Sequence, residues 1–440
     1  MKYSRYPEYR ASGVEWLGAV PKHWDLKNLK YVATCNDEAL SENTPADYRI
    51  NYVDISSVSL EEGVKRTEEY DFDEAPSRAR RRVQDGDTIL STVRTYLKAV
   101  ACITKPPANL IVSTGFAVIR PGPDLDARYL SYYVRSEGFV GEVVSHSVGV
   151  SYPAINASQV MDLPALLPPL SEQSCIASFL DIETARIDDL ISAKRRFMAR
   201  LKEKRSALIS RAVTSGIGAG IAMVKSEIKW LSEHPAHWEK RRLRYLFHME
   251  GGMTPDRAEP RYWDGDIPWV TPKDMKVEVI ADSEDHVTTD ALAETGLSIV
   301  DPNAVLIVVR GMILAHSVPI ALTAAPVTVN QDMKALYATD EVRADYLAWM
   351  FRGLRGLLLS LVEESGHGTK VLRTDVLRSV QVPLPPLPEQ KAIVDELAIQ
   401  TARIDKLLTN AKAAVDVLQQ RRTSLISAAV TGSVDVRNAA

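Results

Sequence analysis

The residues of this sequence with the most evident catalytic potential are two acids and a lysine in its second half. Asp256 precedes Asp274 and Lys276, a spacing like that with which metal-dependent nucleases hold a cation and polarise water. The first half contains no counterpart, and Pro268 and Pro272 are expected to break the strand that would carry the second acid. We therefore expect ordinary turn residues here, with a cryptic nuclease site as the alternative.

No other part of the sequence predicts catalysis. The Asn-Pro-Pro-Tyr signature of adenine methylation, a phosphate-binding P-loop and a dinucleotide fingerprint are all absent. The 8 histidines lack metal-ligand spacing, and the 3 cysteines lack the CxxC spacing of a zinc site. We expect buried thiols, no metal site and a chain that is not an enzyme by itself.

Local basic clusters are the candidate contacts to nucleic acid. The net charge of −4 excludes a protein that coats DNA without specificity, because that mode needs many cations. Lys and Arg can clamp phosphates, and polar tips on Gly/Ser loops can reach base edges. The candidates are Arg78, Arg80, Arg81, Arg82, Arg94, Lys98, Ser151 and Tyr152 in the first half, and Arg310, His367, Thr369, Lys370 and Arg373 in the second. A solvated charged face and an ordinary surface loop are the alternatives.

An internal repeat relates the two halves of the chain. The pattern W-L-x-x-x-P-x-H-W occurs at residues 16–24 and 230–238, which lie 214 positions apart. Pro-Pro-Leu-x-Glu-Gln at 168–173 and 385–390, and Thr-Ala-Arg-Ile-Asp at 184–188 and 401–405, lie 217 positions apart. Residues 83–94 resemble 299–310, which predicts that Arg310 takes the place of Arg94. Because residues 30–160 and 245–375 share few identities, a constant frame carries two divergent inserts.

The frame is predicted to contain two long helices that follow the Pro-Pro-Leu segments, where proline fits a first helical turn. Apolar residues then recur on a seven-residue grid. The seam residues are Leu180, Ile187, Leu201 and Leu208 in the first helix and Leu397, Ile404, Leu418 and Leu425 in the second, with Leu190, Ile191, Phe197 and Met198 beside the first set. Such helices span roughly 60 Å.

The apolar stripe of each long helix needs a partner. We therefore predict an antiparallel coiled coil of the two helices with a globular insert at either end. Short β-branched and aromatic runs, such as residues 88–93 and 109–119, indicate that the inserts are mixed α/β. The alternative is that each helix packs only on its own domain.

The predicted boundaries follow from the repeat. They are residues 1–24 for an N-terminal frame segment, 25–167 for the first insert, 168–239 for a central region with the first long helix, 240–382 for the second insert and 383–440 for a C-terminal region with the second long helix. No stretch approaches the roughly 20 apolar residues of a membrane helix, and residues 1–10 lack a signal-peptide core. A cytoplasmic location is predicted.

With these features the sequence resembles the specificity subunits of type I restriction-modification systems. The resemblance covers essentially the whole chain. Its carriers are the two Pro-Pro-Leu-x-Glu-Gln segments, residues 13–24, Leu-Ser-Thr-Val-Arg at 90–94, Ser-Thr-Gly-Phe at 113–116, Gly-Gly-Met-Thr-Pro at 251–255, and Ile-Pro-Trp-Val at 267–270 with Asp274. Pro388 stands where the first repeat has Ser171, and either residue can open a helix.

The resemblance implies that each insert is a target recognition domain that reads one half of a bipartite site in double-stranded DNA. It also implies that the helices set the spacing and dock two methyltransferase subunits and two restriction subunits. S-adenosylmethionine, ATP and Mg²⁺ would be bound by those partners and not by this chain. A stand-alone bipartite DNA binder or anti-restriction protein that recruits no methyltransferase is the alternative.

Overall fold

The structure, a computed structural model, describes residues 4–218, 220–366 and 368–437. His367, one of the predicted DNA-contacting residues, lies outside the described residues. The chain divides into two compact units, the first reaching Arg195 and resuming at Ala413, the second comprising Arg196–Lys412. No helix within the described ranges is both long and apolar enough to cross a membrane.

The first unit is mixed α/β. Its strands β1 to β14 are Tyr9–Ala11, Ala19–Pro21, Asp25–Asn28, Ala33–Cys35, Arg49–Val53, Val58–Ser59, Gly63–Val64, Glu68–Asp71, Ala79–Arg82, Thr88–Ser91, Val100–Cys102, Leu110–Ser113, Phe116–Pro121 and Pro164–Leu167. Helices α1 to α3 are Ala127–Val134, Glu137–Ser145 and Ala157–Met161, and α4 begins at Leu170. The four-stranded sheets have the orders β11-β10-β13-β4 and β8-β5-β12-β9, and β3 pairs with β14.

The second unit repeats this plan. Strands β15 to β28 are Met223–Lys225, Glu233–Pro235, Glu239–Arg242, Phe247–Gly251, Trp263–Val270, Val279–Ile280, Asp285–Val287, Val305–Val308, Ile320–Thr323, Thr328–Val329, Met333–Ala338, Val362–Glu364, Lys370–Leu372 and Gln381–Leu384. Helices α5 to α8 are Thr289–Glu294, Ala344–Gly353, Arg355–Ser360 and Thr374–Ser379. The order β18-β25-β22-β23 matches β4-β13-β10-β11, and β17·β28 matches β3·β14.

Two long helices, α4 (Leu170–Ser215) and α9 (Leu387–Val430), form the frame. Each follows a Pro-Pro pair and stops before a glycine with positive φ, Gly216 or Gly432, because a left-handed residue ends the helical hydrogen bonding. The predicted fold class, mixed α/β domains with long helices and an internal repeat, is therefore confirmed.

The two long helices contact each other within each unit. In the first unit Ile187 and Ile191 of α4 form one apolar cluster with Val415, Leu418 and Leu425 of α9. The earlier α4 residues Ile176 and Leu180 share a cluster with the later α9 residues Ile426 and Val430, so the helices run antiparallel. Over the whole seam prediction, Leu180, Ile187, Leu201, Leu397 and Ile404 are buried, and Leu208, Leu418 and Leu425 are half-buried. Leu180 and Leu397 lie in the cores of their units rather than between the two helices alone.

The repeated Glu-Gln pair explains why the frame recurs. Gln173 is buried, donates to the carbonyls of Asp124 and Pro168 at 3.1 and 2.9 Å, and accepts from the Asp126 N–H at 2.8 Å. Gln390 makes the same three bonds, to Glu341, Pro385 and Arg343, each 217 positions later. One buried amide thus ties the start of each long helix to the loop before α1 or α6.

The glutamates of that pair bind the Trp-containing motif. Nε2 of His23 lies 2.9 Å from Oε2 of Glu172, and Nε2 of His237 lies 2.7 Å from Oε2 of Glu389. Both histidines also meet the neighbouring tryptophan edge to face. Glu172 is therefore a buried partner of the Trp-containing motif.

Residues 109–119 form two strands of different sheets, β12 and β13, because Thr114 and Gly115 turn the chain. Two expectations about burial are wrong. Leu190 and Phe197 are 52% and 44% exposed, so they do not fill the seam. Free Cys35, Cys102 and Cys175 are only partly buried.

Candidate nucleic-acid interface

The first candidate surface surrounds Arg94, directly after the buried strand β10. Its backbone is left-handed, with φ 51° and ψ 48°, a conformation that costs a non-glycine residue about 1 kcal/mol or more. Its N–H donates to the Pro153 carbonyl at 2.7 Å, and its guanidinium lies 4.8 Å from the ring centre of Tyr152. Both side chains are exposed. Strain at an exposed cation is typical of a binding position.

Arg94 and Tyr152 line a cleft of about 610 Å³, together with Arg78, Thr92, Val93, Thr114 and Gly115. The Thr114 N–H donates to the Arg78 carbonyl at 2.8 Å, which places Arg78 beside the turn. A Cβ on Gly115 would lie 2.6 Å from Cδ1 of Ile55, so only glycine fits without movement. The cleft therefore combines two arginines, an aromatic ring and hydroxyl groups.

The basic side chains of this surface have no carboxylate partners. Within the described residues this holds for Arg78 and Arg94, which line the cleft, and for Lys98, which follows Arg94 in the same loop, and all three are exposed. Ser151 is also exposed, on the loop that carries Tyr152. Free arginines can bind phosphate oxygens or the O6 and N7 acceptors of guanine, and hydroxyl groups can reach base edges. The cleft can therefore bind DNA.

The remainder of the basic run is less available. Arg80, Arg81 and Arg82 lie half-buried on β9. The Arg80 guanidinium stacks 4.6 Å from the ring centre of Phe72, and Arg81 donates to the Asn36 carbonyl at 3.5 Å. Of the run, Arg78 alone lines the cleft.

The second candidate surface surrounds Arg310 after β22, and here the predicted correspondence is wrong. The Gly311 N–H donates to the Lys370 carbonyl, as the Arg94 N–H does to Pro153, so Gly311 holds the place of Arg94. Gly311 also has positive φ, 128°. Arg310 forms an isolated antiparallel β-bridge with Val371, as Val93 does with Ala154. The arginine of the second unit is thus supplied one residue earlier on the same backbone.

Arg310 is exposed and lacks a carboxylate partner within the residues that the structure describes. Other candidates in this unit are neutralised: Lys370 pairs with Glu364 at 2.6 Å, and Arg373 pairs with Asp375 at 2.6 Å. Thr369 is half-buried, and its carbonyl accepts from the Ser365 N–H at 2.9 Å in the turn between β26 and β27. The freest cation among the candidates of the second unit is therefore Arg310.

The acids that suggested a nuclease serve as turn residues. The Asp274 carboxylate accepts from the Thr271 N–H and hydroxyl at 2.8 Å each and from the Glu284 N–H at 3.1 Å. Asp256 accepts from the Ala258 N–H at 2.9 Å. Pro268, however, lies inside β19 and does not break it, which corrects the reason for the expectation.

Comparison with known proteins decides which family uses this plan. The family model described as the type I restriction modification DNA specificity domain matches residues 21–196 and again residues 235–415. The chain belongs to this family. It is a type I specificity subunit with two DNA recognition domains, and its repeat is the repeat of that domain.

Relatives of this specificity subunit agree. The EcoR124I/EcoR124II specificity subunit of Escherichia coli is 30% identical over 42% of this chain and 48% of that protein. The MjaIX specificity subunit of Methanocaldococcus jannaschii is 29% identical over 42% of each chain. The chain thus matches about half of the length of these two relatives. The MjaX specificity subunit of the same archaeon is 22% identical over 96% of each chain.

Solved structures share the fold of this specificity subunit. A chain from a study of complex assembly and conformational transition in a type I restriction-modification system aligns with a TM-score of 0.74 and 21% identity, over 93% of this chain and 98% of that one. The HsdS subunit from Thermoanaerobacter tengcongensis aligns with a TM-score of 0.51 and 22% identity, over 94% and 98%.

Sequence reasoning missed part of the candidate surface of the specificity subunit. Thr92 and Thr114 line the cleft, and Gly115 accepts from the Thr92 N–H at 2.8 Å and from its hydroxyl at 3.0 Å. All three residues lie in the segments 90–94 and 113–116 that carry the resemblance. The hydrogen bonds that join Thr92 to Gly115, residues next to the ends of different strands, connect the two segments and are not visible in the sequence.

Proposed function

We propose that this specificity subunit reads a bipartite site in double-stranded DNA, with one half read by each target recognition domain. The observation that carries the proposal is the recurrence of an unpaired arginine, Arg94 or Arg310, at the same hairpin in two domains whose surfaces otherwise differ. Since the surrounding side chains differ, the two half-sites should differ in sequence.

Exchange of one domain tests modular reading. Residues 245–375 would be replaced with the corresponding segment of another specificity subunit, and methylated adenines would be mapped by sequencing the host genome. We expect one half-site to change and the other to persist. The matched control exchanges residues 30–160 and should alter the opposite half. A change of both halves by either exchange would falsify the modular proposal.

We further propose that α4 and α9 dock two copies of one methyltransferase subunit. Exposed apolar residues recur at equivalent positions of the helices: Ile182 and Ile399 are 49% and 50% exposed, and Leu190 and Leu407 are 52% and 47% exposed. Residues eight apart lie about 80° apart around a helix and so fit within one apolar stripe. Identical apolar positions on two helices suit two identical partners.

Loss of one docking position should halve the stoichiometry. With the methyltransferase co-expressed, Ile182→Asp or Ile399→Asp should give one methyltransferase per chain in native mass spectrometry, and the double variant none. Ile182→Leu, which stays apolar, is the control and should retain two. Unchanged binding by the double variant would contradict this surface. Absence of any complex with the unaltered chain would favour the stand-alone DNA binder.

We propose that the long helices set the distance between the two half-sites. Insertion of seven residues into α4 alone should change the distance between methylated half-sites or abolish methylation, because register with the duplex must be kept.

We assign S-adenosylmethionine, ATP and Mg²⁺, and the reactions that use them, to the methyltransferase and to two restriction subunits, and no catalytic role to this cytoplasmic chain. Purified chain that cleaves DNA with Mg²⁺, and loses this in Asp274→Ala, would overturn that assignment.

A further inference from the structure

Each unit contains a polar cluster where the target recognition domain meets the long helices. In the second unit its members are Arg205, Glu278, Arg352 and Asp405. In the first unit the residues 217 positions away are Arg422, Glu61, Arg135 and Asp188. All four types recur, and two of the pairs, Glu61 with Glu278 and Arg135 with Arg352, lie in the segments 30–160 and 245–375 that share few identities. Such retention within divergent segments suggests a shared structural task.

The cluster of the second unit is closed by a carboxylate. Nε of Arg205, on α4, binds Asp405, on α9, at 3.0 Å, and its terminal nitrogen binds Oε1 of Glu278 at 2.7 Å. Oε2 of Glu278 lies 3.7 Å from Arg352, which also donates to the Glu278 carbonyl at 2.5 Å. The Arg352 side chain is 7% exposed. Glu278 therefore links an arginine of the domain to one of the helix.

The cluster of the first unit lacks this link. Arg422 binds Asp188 at 3.0 Å, and Arg135 donates to the Leu60 carbonyl at 2.8 Å. Within the described residues Glu61 makes no ion pair with either arginine, and its one hydrogen bond is a 3.5 Å contact from Gln419. A cleft of about 400 Å³ opens at this place, lined by Glu61, Asp188 and Arg422 among others.

The local chain explains the difference. Glu278 directly precedes β20, and its carbonyl accepts from the Leu322 N–H at 3.0 Å, so the five-stranded sheet holds it. Glu61 lies in the turn between the two-residue strands β6 and β7, which pair only with each other. Arg135 of the first unit donates to the carbonyl of Leu60, whereas the position equivalent to the Glu278 carbonyl is that of Glu61, one residue later.

As a result, Arg135 and Arg352 differ in whether a carboxylate offsets the cost of burying the guanidinium. Nε of both Arg135 and Arg352 is buried without a hydrogen-bond partner. Burial, and then the nearby charge of Arg422, lower the pKa of Arg135. Burial also lowers the pKa of Arg352, but there the Glu278 carboxylate acts in the opposite direction. A partly buried arginine without a carboxylate is costly, whereas a hydrogen-bonded pair offsets that cost.

We propose that this cluster is a joint that fixes each target recognition domain on the long helices, and that it is closed by Glu278 in the second unit and open in the first. Arg205, Glu278 and Arg352 are thus positioning residues. The first domain is the less rigidly attached of the two. Its half-site therefore tolerates a shifted spacing better, a consequence that rests on the proposed function.

Amide hydrogen exchange on the full chain without DNA tests the joint. Glu278→Gln keeps the size of the side chain and removes its charge, and should speed exchange of the Leu322 and Ala324 amides, which bond to the chain around β20, by about tenfold, since a charge-assisted hydrogen bond is lost. Glu61→Gln is the matched variant. It should leave exchange of the Lys65 amide, bonded to the Ser57 carbonyl, within about twofold.

A double substitution separates the joint from general loosening. Arg352→Met combined with Glu278→Gln should be less damaging than the sum of the single changes, whereas Arg135→Met and Glu61→Gln should add. Unchanged exchange in Glu278→Gln, equal acceleration in Glu61→Gln, or coupling in both units overturns the proposal. A chain that reads no bipartite site would overturn the proposed function and leave these exchange results standing.

Discussion

The two target recognition domains of this subunit use one backbone plan to present an arginine in two different ways. In the first, Arg94 itself holds the left-handed position after β10; in the second, Gly311 holds it and Arg310 precedes it. The hydrogen bonds around the position are the same. A scaffold can therefore keep its geometry while the exposed arginine moves by one residue, which under the proposed function would change the base edges within its reach.

Two closely packed glycines, Gly252 in the second domain and Gly115 in the first, meet different kinds of neighbour. A Cβ on Gly252 would lie 1.9 Å from the Val329 carbonyl oxygen, a backbone atom, whereas a Cβ on Gly115 would meet the end of the Ile55 side chain at 2.6 Å. A backbone carbonyl in a sheet cannot move to make room for a methyl group, whereas the end of a side chain can rotate. The second domain is thus more sensitive to substitution at its glycine than the first.

The largest expected effect follows from that contrast. Gly252→Ala should destabilise the second domain by about 3 kcal/mol or more, and Gly115→Ala the first by about 1–3 kcal/mol. Hydrogen exchange resolved by domain measures both in the full chain. Gly356→Ala, at a position where a Cβ meets nothing within 4 Å, is the control and should change little. Equal losses in the two domains would contradict the contrast.

A smaller effect is expected from removing the arginines. Arg94→Ala and Arg310→Ala should each weaken binding by about 1–3 kcal/mol, and only for DNA that carries the half-site of that domain. Fluorescence anisotropy with half-site variants, once the site is known from methylated adenines, measures this. Lys370→Ala removes a cation already paired with Glu364 and should cost less than either. A larger effect of Lys370→Ala would place the contact elsewhere.

The sequence predicted the repeat, the long helices and the neighbourhood of both surfaces, because short motifs with fixed spacing report the frame directly. It could not predict register within the inserts. The sequence pattern aligns Arg310 with Arg94 because both end an apolar strand, and only the hydrogen bonds of Gly311 and Arg94 show the shift by one residue. A seven-residue grid likewise placed Phe197 beside the seam, although the helix turns it toward solvent.

The joint escaped prediction for a related reason. Glu61 and Glu278 lie in segments that share few identities, and neither forms part of a motif. Their equivalence becomes visible when Arg135 and Arg352 are seen to donate to backbone at the same place. Pairing between distant segments, rather than residue type, carries that information.

The smallest expected effect concerns strain at Arg94. Glycine adopts φ 51° without a Cβ penalty, so Arg94→Gly should stabilise the first domain by about 1 kcal/mol relative to Arg94→Ala, while both variants lose the DNA contact equally. In the second domain Gly311→Ala places a Cβ at φ 128° and should destabilise by about 1 kcal/mol or more, with Arg310 still present. Thermal unfolding and half-site binding, measured on the same variants, separate the two quantities. If Arg94→Gly proved less stable than Arg94→Ala, the left-handed backbone would not be a cost that the first domain bears for its arginine, and the difference between the domains would lie in their side chains alone.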